Sequence, residues 1–129
     1  MDVGVKRTGV AISDPLGLSA NGVETHLSRG SNADALYFSE MAKARGCERI
    51  LLGLPLNMDG TESERSLKVR SFGDLLQKAS GLPVEYQDER LTSIEAEEIL
   101  IEAGLSREER KKVIDKVAAE IILRDYLNQ

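Results

Sequence analysis

Apolar and polar positions divide the chain into runs of strand length and longer runs at helical period. Asp2-Val3-Gly4-Val5 reads as the end of a strand, Lys6-Arg7-Thr8-Gly9 as a polar turn, and Val10-Ala11-Ile12 as a strand returning antiparallel. Ser13-Asp14-Pro15-Leu16-Gly17 is punctuated as a turn, which Asp14 initiates. Gly22 to Leu27 alternates and predicts a third strand, with His26 among polar neighbours at the surface. Ser31 to Arg45 has helical spacing, with Ser31 or Asn32 as cap and Ala35, Leu36, Phe38, Met41, Ala42 and Ala44 as its apolar face. Gly46 ends it. Arg49 to Pro55 is apolar without alternation, as expected of a central strand buried on both faces.

Leu56 to Thr61 leaves the C-terminal end of that strand, where open α/β sheets bind ligands. Glu62 to Lys78 predicts a second helix with Val69, Phe72, Leu75, Leu76 and Ala79 as its buried stripe. Arg65, Lys68 and Arg70 in its early turns read, on charge alone, as a solvated face. Gly81-Leu82-Pro83 breaks the helix, and Pro83 to Gln87 forms a last strand running into Asp88-Glu89-Arg90-Leu91. Thr92 with Glu95, and Ser106 with Glu109, have the spacing of capping boxes. They open a helix to Ala103, stopped by Gly104, and a final helix to about Leu127 with Ile114, Val117, Ala118, Ile121 and Ile122 as its stripe. Helix, glycine and buried strand in succession indicate an α/β architecture.

Composition narrows the function classes. The 129 residues suit a single domain with a sizeable core, with 41% hydrophobic and 30% charged residues. There is no run of about 18 apolar residues for a membrane span, and no basic-then-apolar leader. The single Cys47, expected as a small core residue near the start of a strand, excludes an internal disulfide and fits a reducing cytoplasm. One histidine and one cysteine cannot build a zinc site of the nitrogen/sulfur type, so any metal would be a hard cation held by oxygen. A net charge of −5 argues against strong nonspecific nucleic-acid binding. It leaves room for a nuclease that gathers acids around its metals and keeps a local basic rim.

Three acidic positions stand apart: Asp2 at the first strand, Asp88 with Glu89 after the last strand, and Asp115 on the flank of the final helix. If the first and last strands are near neighbours, these carboxylates converge and need neutralising cations or protons. Mg²⁺ in such a site serves phosphodiester hydrolysis. The alternative is a set of unrelated surface acids, which an acidic chain readily supplies.

The chain resembles the YqgF type of RNase H-like bacterial proteins, described as candidate pre-16S rRNA nucleases or Holliday-junction resolvase-like proteins. The resemblance rests on Asp2-Val3-Gly4-Val5-Lys6-Arg7-Thr8-Gly9-Val10-Ala11, Ser13-Asp14-Pro15, Gly53-Leu54-Pro55-Leu56-Asn57-Met58-Asp59-Gly60, Asp88-Glu89-Arg90-Leu91-Thr92-Ser93, Glu95-Ala96 and Asp115-Lys116-Val117-Ala118-Ala119. It implies one RNase H-like domain over residues 1–129, with a mixed five-stranded sheet whose first three strands form an antiparallel meander. It also implies an acidic site of Asp2, Asp88 or Glu89, and Asp115, ligating Mg²⁺ or Mn²⁺ and activating water. By charge and position, Lys6, Arg7, Asn57, Arg65, Arg90 and Lys116 would line the nucleic-acid path. The expected function is cytoplasmic hydrolysis of RNA in 5′-end maturation of pre-16S rRNA, by a monomer or homodimer without membrane contact. Resolution of branched DNA, a noncatalytic module for ribosomal or transcription partners, and an ATP-handling relative opened by the Asp-x-Gly hairpin are the competing expectations. One departure stands out: the family's opening strand usually has several apolar residues before its acid, whereas Met1 directly precedes Asp2, so half of a central strand is expected to be missing.

Overall fold

The computed structural model describes residues 1–129. Its elements are β1 (Asp2–Val3), β2 (Arg7–Ser13), β3 (Ala20–Leu27), α1 (Ser31–Ala44), β4 (Ile50–Leu54), α2 (Glu64–Ser80), β5 (Val84–Asp88), α3 (Thr92–Glu102) and α4 (Arg107–Leu127). β1, β2 and β3 form the antiparallel meander, with Asp2 opposite Gly9 and Val3 opposite Thr8. β4 and β5 pair in parallel, with Gly53 opposite Gln87 and Leu54 opposite Asp88. Met1 joins the two ladders. Its amino group donates to the Leu51 carbonyl (2.6 Å) and its own carbonyl accepts from Gly53 N–H (2.9 Å), bracketing Leu52 as a parallel partner would. Strand order is therefore β3-β2-β1-β4-β5, the mixed α/β sheet of RNase H-like architecture.

Side-chain alternation distributes the two helical layers. Val10, Leu52 and Leu54 face one way and pack with Ala35, Phe38 and Ala42 of α1 and Val69, Phe72 and Leu76 of α2. Gly9 and Gly53, their neighbours in sequence, face the other way, against α4. α4 lies over β2 and β3 and carries α3 on its far side through Ala96, Ala118 and Ile121. No helix is long and apolar enough to cross a membrane.

Several local expectations are corrected. The first turn is tighter than its sequence suggests: Gly4 N–H donates to the Arg7 carbonyl (2.8 Å), the strand resumes at Arg7, and Gly9 lies inside β2. His26 is not at the surface. It is 8% exposed, 3.0 Å from Asp34 through Nε2 and stacked on Tyr37. Neither Ser31 nor Asn32 caps α1; Gly30 takes that position without a side-chain bond, and the Asp34 carboxylate accepts from Arg29 N–H instead. Leu36 and Ala44 are exposed, because the face α1 turns inward is the narrower row Ala35, Phe38, Ala42. Thr92 does not cap α3 either: the helix starts one residue earlier than the box requires, with Leu91 at the cap and Thr92 buried in the first turn. The Ser106–Glu109 box does form. Cys47 packs beside the core just before β4, and Asp14 closes its turn by accepting from Leu18 and Ser19 N–H.

β1 is two residues long. A groove of about 890 Å³ lies between residues 10–17 and 45–51, at the end of the sheet away from the acids described next.

Candidate active site

The site is assembled on the α4 side of the sheet by two glycines. Asp2 lies opposite Gly9, and the α4 backbone passes so close that a β-carbon on Gly9 would overlap the Asp115 carbonyl and stand 2.8 Å from Lys116 N. Any side chain at position 9 would push α4 away, so Gly9 is what lets Asp115 approach Asp2. On β4, a β-carbon on Gly53 would stand 2.8 Å from Glu89 Oε2 and 2.5 Å from Ile122 Cδ1. The space above Gly53 is filled by the Glu89 carboxyl. Glu89 follows β5 and is held by its N–H to the Leu54 carbonyl (3.1 Å). The sequence offered a signal for both glycines, since each interrupts an apolar strand run, but neither was singled out as a determinant of the site.

Asp2, Glu89 and Asp115 line one cleft of about 250 Å³ together with Gly4, Val5, Pro55, Leu56, Arg65, Arg90 and Ser93. Three segments distant in sequence, β1, the end of β5 and α4, supply its acids. The Asp2 and Glu89 carboxyls lie close together in this cleft. Burial raises both carboxyls, Glu89 to about 8, and the neighbouring Asp2 charge raises Glu89 further. Asp115 is also raised, first by burial and then by Asp2. The Arg65 charge opposes the rise at all three. Burial and mutual repulsion thus favour the protonated form of these acids, while Arg65 favours the charged form.

Asp88 is turned elsewhere. It accepts from Arg90 N–H (3.0 Å) and pairs with the Arg90 guanidinium (2.8 Å), outside the cleft lining. Arg90 also donates to the Met58 carbonyl (3.0 Å), so its donors tie the loop after β4 to the end of β5. Arg65, in the first turn of α2, reaches across to the Val3 carbonyl (3.0 Å). Asn57 organises its own loop, donating to Thr61 Oγ1 (3.0 Å) and the Glu62 carbonyl (3.1 Å). Lys6 and Arg7 are exposed where β1 turns into β2, and the Arg7 charge acts on Asp115. Lys116 lies with its stem over Gly22 of β3. Ser93 also lines the cleft, a place that nothing in its local sequence marks.

No three side chains among His, Cys, Asp and Glu are arranged to hold a metal ion as they stand. The donor chemistry nevertheless fits Mg²⁺, which takes one or two carboxylates and completes its shell with water and phosphate oxygens rather than with a protein cage. The repulsion between the buried Asp2 and Glu89 carboxylates marks where positive charge is wanted.

A family model described as RuvX, Holliday junction resolvase, matches residues 1–129. Among curated relatives, proteins of Syntrophomonas wolfei (45% identical over 128 residues, 99% of this chain and 91% of the relative) and Halothermothrix orenii (48% over 128 residues, 99% and 91%) both carry the name "Putative pre-16S rRNA nuclease". A Streptococcus pyogenes protein of the same name is 48% identical over 132 residues, covering 100% of this chain and 95% of its own length. With a full-length family match and relatives at this identity, the chain belongs to the RuvX family of YqgF-type, Holliday-junction-resolvase-like proteins.

Proposed function

We propose that residues 1–129 form one nuclease domain, a cytoplasmic hydrolase that cleaves RNA phosphodiester bonds in maturing the 5′ end of pre-16S rRNA. The observation that carries this reading is the meeting of Asp2, Glu89 and Asp115 in one cleft. The names of the relatives supply the substrate. Asp2 and Glu89 would hold Mg²⁺ or Mn²⁺, with Asp115 as the third acid. When bound, the ion supplies Lewis acidity toward a phosphoryl oxygen and lowers the pKa of water. Asp115, raised by burial, is suited to take a proton from an attacking water. Arg65 faces the cleft and offers a guanidinium to a phosphate. Arg7, whose charge reaches Asp115, with the exposed Lys6 beside it and Lys116 next to Asp115 on α4, would supply the positive charge an acidic protein needs to hold an RNA backbone. Arg90 and Asn57 shape the opposite rim through the loop after β4. Asp88 keeps Arg90 in place.

The family description favours a second reading, resolution of four-way DNA junctions. Mn²⁺-dependent cleavage of a short 5′-extended pre-16S RNA and of a four-way DNA junction, run side by side, separates the two. RNA cut by the wild type and cut at least about 100-fold more slowly by Asp115→Asn supports the RNA nuclease. Junction cleavage alone moves the assignment to the resolvase. Cleavage of neither substrate favours a noncatalytic binding module.

A further inference from the structure

Arg65 lines the same cleft as Asp2, Glu89 and Asp115 and forms an ion pair with none of them. The other arginine of the cleft, Arg90, is paired with Asp88. Arg65 comes from α2, on the opposite side of the sheet from α4. It reaches the acids past the end of β1, where it donates to the Val3 carbonyl one residue beyond Asp2. Its place in the cleft wall is therefore fixed by the backbone, not by a carboxylate partner. An arginine that needed an acid for its geometry would pair with one directly; here its hydrogen bond goes to a neutral carbonyl and its charge is left to the cluster.

We propose that Arg65 is a positioning residue that serves as built-in counter-charge to Asp2, Glu89 and Asp115 and sets how weakly the cleft holds a divalent cation. The inference rests on the reading of these acids as a metal site and deepens it. While the cleft is free of substrate, the guanidinium competes with an incoming cation for the field of the carboxylates. When a phosphodiester arrives, its negative charge offsets Arg65, and the cation is held more firmly in the presence of substrate than without it. The site would then load its ion together with RNA.

The test is binding of Mn²⁺ alone to the whole chain, with no nucleic acid, read from the free-ion signal in electron paramagnetic resonance. Removing one nearby positive charge from a partly solvated divalent site is expected to tighten binding by about three- to tenfold. Arg65→Gln should therefore bind Mn²⁺ more tightly than wild type, while Arg65→Lys, which keeps the charge, stays within about twofold. A purely structural role predicts the opposite sign, since both variants would loosen β1 and weaken the ion. Unchanged or weaker binding by Arg65→Gln, or equal tightening by both variants, overturns the proposal. Glu89→Gln reports on the underlying reading. If wild type binds no Mn²⁺, or binds it as well as Glu89→Gln does, the metal site itself is wrong, and the role given to Arg65 falls with it.

Discussion

Single residues decide which acid of the Asp88-Glu89 pair enters the cleft. The two are adjacent where a strand ends, so they point to opposite sides, and the sequence left both as candidates. Gly53 opens room for Glu89, while the Arg90 N–H and guanidinium claim Asp88. Glu89→Gln is therefore expected to lower cleavage by at least about 100-fold, and Asp88→Asn by much less, through a loosened Arg90. Steady-state cleavage rates of the two variants check this. Gly9 is the sharper structural test. A methyl group there collides with the Asp115 carbonyl, which is backbone and cannot rotate aside. Gly9→Ala should cost about 3 kcal/mol in urea unfolding and separate Asp115 from Asp2. Because the damage is to spacing, cleavage should fall further than the lost stability explains.

At the scale of elements, local chemistry explains the helix ends unevenly. The Ser106–Glu109 box forms as its spacing requires, and Ser106→Ala is expected to cost about 1 kcal/mol while leaving cleavage intact. α1 is fastened by tertiary contacts. Asp34 accepts from Ser28 Oγ (2.6 Å) and from Arg29 N–H (2.9 Å), and lies 3.0 Å from His26 Nε2, binding the end of β3 to the start of the helix. Its hydrogen bonds to Ser28, Arg29 and His26 hold its pKa below the usual carboxylate value against the opposing effect of burial. Its stabilising contribution is therefore present above the ordinary range and lost as pH falls. Asp34→Ala strands three polar groups and should cost about 2 kcal/mol, measured by thermal melting at neutral pH. The sequence pattern could not find this cluster. A histidine in an alternating polar strand looks solvated until a helix is packed over it.

Across the whole molecule, the cleft acids make folding stability depend on pH in an unusual direction. Glu89 is raised from an ordinary 4.5 to about 8, and Asp2 and Asp115 shift the same way. The folded chain retains protons that the unfolded chain releases. The contribution is therefore full below about 4.5 and lost as pH rises through about 8. In chelator the melting temperature should fall between pH 5 and pH 9, the three acids together outweighing the opposite effect of the Met1 amino group, which burial lowers to about 6, and Glu89→Gln should flatten that slope. Mn²⁺ should restore stability most at the alkaline end, where the acids are deprotonated and free to bind it. A melting temperature that rises across this range in chelator would contradict the raised Glu89 carboxyl.

Sequence alone determined the order and kind of the elements. Glycines at 46, 81 and 104 bound the helices, the unbroken apolar run at Ile50–Leu54 marks the central strand, and two acids at the ends of distant strands with a third on the last helix name the candidate chemistry. These are properties of short stretches, where local steric preference and apolar period suffice. Tertiary structure decided what depends on a neighbour from elsewhere in the chain: the burial of His26, the exposure of Leu36, the unused Thr92 cap, and the choice of Glu89 over Asp88 for the cleft lining. It also decided the Arg65 reach to Val3, which crosses from one helical layer to the end of the first strand. The reason is the same in each case. A side chain's solvent and partners are set by the element packed against it; for Asp115 and Glu89 that approach is allowed by the missing β-carbons of Gly9 and Gly53.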